Sequence, residues 1–167
     1  MSKKIVAVID LGSITARLKI FEISSKGCPK EIEVVRKIIA VGNSSYKSGV
    51  INSRQLDEIC DCLHAFDIKC KEYRVTTVFC VGTAAFRDAG NRDVIVEQIR
   101  IRTGFRVEIL DNSMERFYQN LAVKETMPEY KSLVMNGTMI LDIGASSLQA
   151  TVYDKSEFIF SQNMVLG

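Results

Sequence analysis

The sequence predicts an α/β fold built on a mixed sheet, and three observations carry that prediction. Strand-like segments fill the first forty positions, a long stretch with helical periodicity follows, and from residue 75 strand-like and helix-like segments take turns. The expected order is an antiparallel βββ start followed by αβαβα, and the strand-helix-strand alternation implies parallel neighbours for the later strands.

The elements follow in order. Ile5 to Ile9 is a short apolar strand, and Thr15 to Ile23 is a second, with Ala16, Leu18 and Ile20 on one face. A Ser-Ser-Lys-Gly-Cys-Pro turn leads to a third strand, Glu31 to Val41, which completes a meander. Gly42 to Gly49 is rich in Gly, Asn and Ser and reads as a loop, with Ser53 as the N-cap of a long helix. Leu56, Ile59, Cys60, Leu63 and Phe66 recur at helical spacing there, giving a face that covers the sheet. Next come a strand from Val75 to Val81, a helix from Arg92 to Arg102 stopped by Gly104, and a strand from Phe105 to Leu110. A helix from Ser113 to about Thr126 and a polar connection from Pro128 to Gly137 follow. The chain closes with a hairpin, Met139 to Asp142 and Leu148 to Tyr153, then Phe158 to Gln162. No linker or low-complexity tract divides it, so residues 1–167 read as one domain of five to seven strands.

Bulk properties exclude several classes of function. A formal charge of +2 is too slight for a broad nucleic-acid or membrane surface, so any anion site must be local. The apolar run at the N-terminus is too short for a signal peptide or a membrane span, and a cytoplasmic location is expected. Five dispersed cysteines with one histidine and no CxxC pair argue against disulfides and zinc. They read as packing thiols, and His64 reads as structural.

The chemistry lies in an internal similarity. Val8-Ile9-Asp10-Leu11-Gly12-Ser13 and Ile140-Leu141-Asp142-Ile143-Gly144-Ala145 each end one strand and open another. Two such turns can face each other across a cleft. Glycine allows tight backbone angles and close approach of main-chain N–H groups to phosphate, and Ser13, Thr15, Ser146 and Ser147 add hydroxyls. Each Asp, at a strand tip, can hold Mg²⁺ or orient water. A single Asp-x-Gly is more simply a tight hairpin, whereas two copies favour a phosphate site. After the strand ending at Val81, Thr83 opens a helix and Arg87 offers a fork for phosphate oxygens. Glu115 falls in the first turn of a later helix, where a carboxylate is favourable in any case.

These four segments, in this order, resemble the N-terminal half of the exopolyphosphatase/guanosine pentaphosphate phosphohydrolase (Ppx/GppA) family, of the ribonuclease H-like actin, hexokinase and Hsp70 fold class. The first is similar to D-I-G-S-N-S-x-R-L through Asp10, Gly12, Ser13 and Arg17, with Ile14 and Thr15 substituted. The second resembles A-T-S-A-x-R-D-A-x-N through Thr83, Ala85, Arg87, Asp88, Ala89 and Asn91. Glu115 stands where the family's S-G-x-E-E-A has its catalytic glutamate. The fourth, D-I-G-G-G-S-T-E-L, is matched by Asp142, Ile143, Gly144 and Ser147, with Ala145, Ser146 and Gln149 as departures.

The resemblance implies water attack on a phosphoanhydride, with Glu115 as base and Mg²⁺ at Asp10 and Asp142. It also implies phosphate held by Gly12, Ser13, Thr15, Arg17, Thr83, Arg87, Gly144, Ala145, Ser146 and Ser147. The implied substrates are polyphosphate or the guanosine polyphosphate pppGpp. The chain would be an N-terminal phosphate-binding lobe, with a second lobe or a homodimer completing it. A non-catalytic phosphate- or nucleotide-binding module derived from such an enzyme is the alternative.

Overall fold

A computed structural model describes residues 3–24, 29–145 and 147–165. The chain forms two compact units, Met1–Ile109 and Leu110–Gly167.

In the first unit, β1 (Lys4–Leu11), β2 (Thr15–Ile23) and β3 (Lys30–Ile38) form the expected antiparallel meander. Then β4 (Thr77–Gly82) and β5 (Val107–Ile109) join in parallel, for a sheet order β3-β2-β1-β4-β5. Alternation decides which face is buried. Ala7, Ile9 and Leu11 on β1, with Ala16, Leu18 and Ile20 on β2, are fully buried. They pack with Leu56, Ile59, Leu63 and Phe66 of α2 (Ser53–Glu72) and Ile95 and Ile99 of α4 (Arg92–Thr103). The opposite face carries Val8, Asp10, Arg17 and Lys19.

Several boundaries differ from those expected. Gly42 to Gly49 is no simple loop, because it contains a short helix, α1 (Gly42–Ser48). The α2 N-cap is Asn52, not Ser53. The Asn52 side chain accepts from Gln55 N–H, and Gln55 Oε1 accepts from Asn52 N–H, a reciprocal pair that Ser53 cannot make. Gly104 ends α4 as expected, in the left-handed region at φ 79°. The turn expected around residues 24–29 falls largely outside the described residues, as does Cys28.

The second unit holds α5 (Asn112–Thr126), α6 (Tyr130–Met135) and an antiparallel sheet of β6 (Thr138–Ile143), β7 (Ser147–Asp154) and β8 (Glu157–Val165). The connection expected from Pro128 to Gly137 therefore contains a helix, α6. The described residues form eight strands in two sheets rather than five to seven in one. Asp111, rather than a residue inside the helix, caps α5 by accepting from Ser113 and Met114 N–H, both at 2.8 Å. Lys155 and Ser156 link β7 to β8 with φ of 49° and 67°, the two-residue hairpin turn with both residues left-handed.

Candidate phosphate site

The first Asp-x-Gly turn is a β-hairpin closed by a donation from Gly12 N–H to the Thr15 carbonyl at 3.0 Å. A Cβ on Gly12 would lie 3.1 Å from that oxygen, which explains the glycine. The segment after β3 then clamps the turn. Gly42 N–H donates to the Ser13 carbonyl at 2.7 Å, and Ile39 and Ala40 N–H to the Ile14 carbonyl at 2.9 and 3.0 Å. The buried Ser13 hydroxyl meets Tyr46 Oη at 2.9 Å.

Strand register places Asp10 opposite Arg17 on β2 and beside Val81 on β4. Thr83, just past β4, donates N–H to the Leu11 carbonyl at 3.2 Å, so it joins the same strand ends. Arg87 ends the short helix α3 (Ala84–Arg87), its side chain largely buried and 3.5 Å from Asp88. The first unit thus gathers Asp10, Gly12, Ser13, Thr15, Arg17 and Thr83 at the carboxyl ends of β1 and β4, with Arg87 one helical turn on. Ligands of open α/β sheets bind at such strand ends. Asn91 serves the fold instead, since its side chain accepts from Ile51 N–H at 3.0 Å and donates to the Ile51 carbonyl at 2.8 Å.

The second unit repeats the hairpin. Gly144 N–H donates to the Ser147 carbonyl at 2.8 Å, the same three-residue closure as in the first. Both glycine amides, expected to face phosphate, are thus spent on closing their turns; Ser146 lies outside the described residues. Gly144 and Ala145 are exposed and Ser147 is half-buried. Asp142 lies opposite the buried Gln149, which in turn lies opposite Asn163. Helix α5 spans this row: Gln119 Nε2 donates to Asp142 Oδ2 at 2.6 Å, and Asn163 Nδ2 to Asn112 Oδ1 at 3.2 Å. Glu115, in the first turn, lies one turn before Gln119 on the helix face that reaches Asp142. The sequence reading missed Tyr46 and Gln119. The four-residue step from Glu115 was the available signal for Gln119, while nothing local marked Tyr46.

No described cysteine is poised to react. Burial pushes the Cys80 thiol up to about 12, with a smaller contribution from the Asp10 charge, and burial pushes Cys62 up to about 11. His64 Nε2 lies 3.2 Å from the Arg102 carbonyl, a surface contact. No helix of the described residues is long and apolar enough to cross a membrane.

The antiparallel start, the 3-2-1-4-5 strand order and an Asp-x-Gly hairpin at the strand ends define the ribonuclease H-like class that includes actin, hexokinase and Hsp70. Residues 20–167 match the model of the Ppx/GppA phosphatase family, and the chain belongs to that family. Among curated relatives, it is 26% identical over 142 residues to Exopolyphosphatase 1 of Mycobacterium leprae, covering 85% of this chain and 41% of that protein. Exopolyphosphatase 1 of Mycobacterium tuberculosis is 24% identical over 144 residues, with 86% and 41% covered. The crystal structure of an exopolyphosphatase from Cytophaga hutchinsonii superposes with a TM-score of 0.84 at 25% identity, covering 98% of this chain and 51% of that one. The Ppx/GppA family member of Aquifex aeolicus gives a TM-score of 0.81 at 23% identity, covering 99% and 52%, a likeness of fold. The chain spans less than half the length of the curated relatives it matches.

Proposed function

We propose that this chain is a phosphohydrolase lobe acting on phosphoanhydride bonds of inorganic polyphosphate or pppGpp. The observation that carries the reading is the pair of Asp-x-Gly hairpins closed by the same hydrogen bond, within a chain of the Ppx/GppA family. The match runs through both units.

Arg17, Arg87 and the hydroxyls of Thr15 and Thr83 hold phosphate oxygens, since a loose phosphoryl-transfer transition state needs positioned donors more than covalent chemistry. Glu115 accepts the proton of the attacking water. Asp10 and Asp142 fit Mg²⁺ by their chemistry: hard oxygen donors, with one or two carboxylates sufficing when substrate phosphate completes the shell. The ion, when bound, neutralises charge on the reacting phosphate. Gln119, by donating to Asp142, fixes that carboxylate in place.

The second reading, a non-catalytic phosphate-binding module, is favoured by Gln149: an amide lies buried beside Asp142 where the resemblance calls for a carboxylate. Titration of the 167-residue chain with tripolyphosphate at low ionic strength tests what both readings share. Weak, salt-sensitive binding is expected. A folded sample that binds no polyphosphate would remove the phosphate site. Phosphate release in the same tube, with and without Mg²⁺, separates enzyme from module.

A further inference from the structure

On the face of the first sheet away from α2, the row that starts at Asp10 continues through Arg17 to Arg36 of β3, because Asp10 faces Arg17 and Arg17 faces Arg36. Directly opposed residues on antiparallel strands sit roughly 5 Å apart with side chains on the same face, and like charges there repel. Arg17 Nε is buried with no hydrogen-bond partner among the described residues. Nor does either guanidinium make an ion pair with a carboxylate among them. The contrast with the next cation along β2 is instructive: Lys19 Nζ is met by Glu31 of β3 at 2.6 Å. The sheet gives Lys19 an ion-pair partner on β3, whereas Arg17, with Asp10 on its β1 side, meets a second guanidinium on its β3 side.

We infer that Arg17 and Arg36 together clamp an anionic chain longer than a single phosphate, with Arg36 as the residue that selects for length. The inference rests on the phosphate reading above and extends it. An anionic ligand removes the repulsion and supplies the acceptor that Arg17 Nε lacks, and guanidinium forks suit phosphoryl oxygens. The direction also follows from the register. A phosphate at the Asp10 end of the row is one strand from Arg17 and two from Arg36. Orthophosphate therefore spans to Arg17 only, whereas a linear tri- or polyphosphate lying across the strands reaches Arg36. Arg36 is exposed on the edge strand, open to such a chain and tolerant of substitution.

The test is calorimetric titration of the wild-type chain and of Arg36→Ala, Arg36→Lys and Arg17→Ala, each with orthophosphate and with tripolyphosphate. Wild type should prefer tripolyphosphate. Arg36→Ala should lose roughly tenfold in affinity for tripolyphosphate, about one charge-assisted contact, and keep its affinity for orthophosphate. Arg36→Lys should fall between, since it keeps the charge and loses the fork. Without ligand, Arg36→Ala should melt no lower than wild type, and tripolyphosphate should raise its melting temperature less. If Arg36→Ala binds tripolyphosphate as wild type does while Arg17→Ala loses it, the phosphate reading stands and the inference fails. If wild type binds neither anion, both fall.

Discussion

At the scale of single residues, Glu115 separates catalysis from structure most cleanly. Asp111 already caps α5, accepting from Ser113 and Met114 N–H, so Glu115 is not needed to satisfy the helix start. Glu115→Gln keeps shape and polarity but cannot take a proton. As the base, its loss should lower phosphate release by roughly two to four orders of magnitude with little change in binding. As a helix-end carboxylate alone, it should cost well under ~1 kcal/mol of stability and leave release intact. Release and melting measured on the same pair of proteins decide between them. Residues of this kind were partly legible in the sequence. Asp10, Gly12 and Thr83 do meet at one set of strand ends, because strands of matching polarity bring their carboxyl ends together. What the glycine amides do was not legible. A turn's hydrogen bond and a phosphate compete for the same N–H, and only the folded geometry shows that the turn takes it at Gly12 and Gly144.

At the scale of elements, the β7–β8 turn is a place where sequence and geometry disagree. Type I′ turns favour Asn-Gly, yet Lys155 and Ser156 hold positive φ there. Replacing the pair with Asn-Gly should stabilise the chain by about 1 kcal/mol, since residues other than Gly, Asn and Asp are disfavoured in the left-handed region. The Ser156 N–H bond to the Val134 carbonyl is backbone and survives the change. A melting temperature unchanged or lowered would mean that this turn is not strained. Other elements were easier or harder to read for equally local reasons. The meander was legible because Ala16, Leu18 and Ile20 alternate cleanly, and the end of α4 because Gly104 marks it. The helices α1 and α6 were not. Seven and six residues hold too few turns for periodicity to register, and Gly, Asn and Ser in α1 carry the composition of a loop. Likewise Asn52 outcompetes Ser53 as cap because Gln55 completes the reciprocal pair, a signal at three-residue spacing.

At the scale of the whole molecule, apolar burial is uneven. The main core cluster, from Ala7 to Val107, lies entirely in the first unit. In the second, the buried apolar residues among those described are Leu110, Val134 and Ala150. Opening free energy follows buried apolar contacts, so amide exchange should be slowest in β1, β2 and α2 and markedly faster through β6–β8. Equal protection of both sheets would contradict this distribution of stability. The fold class itself was legible because an antiparallel start followed by strand-helix-strand alternation implies a mixed sheet. The division into two units was not, because no change in composition marks residue 110. The strand registers of the second sheet also place Met139, Leu141, Ile143, Leu148, Val152, Phe160 and Met164 on one side. Met139, Leu141, Ile143, Phe160 and Met164 are exposed there. With a net charge of only +2, little long-range repulsion keeps such faces apart in solution. The chain is therefore poorly protected as a colloid: added salt weakens what repulsion exists while strengthening apolar attraction, so its solubility should be governed by this one sheet rather than by the better-packed half of the molecule.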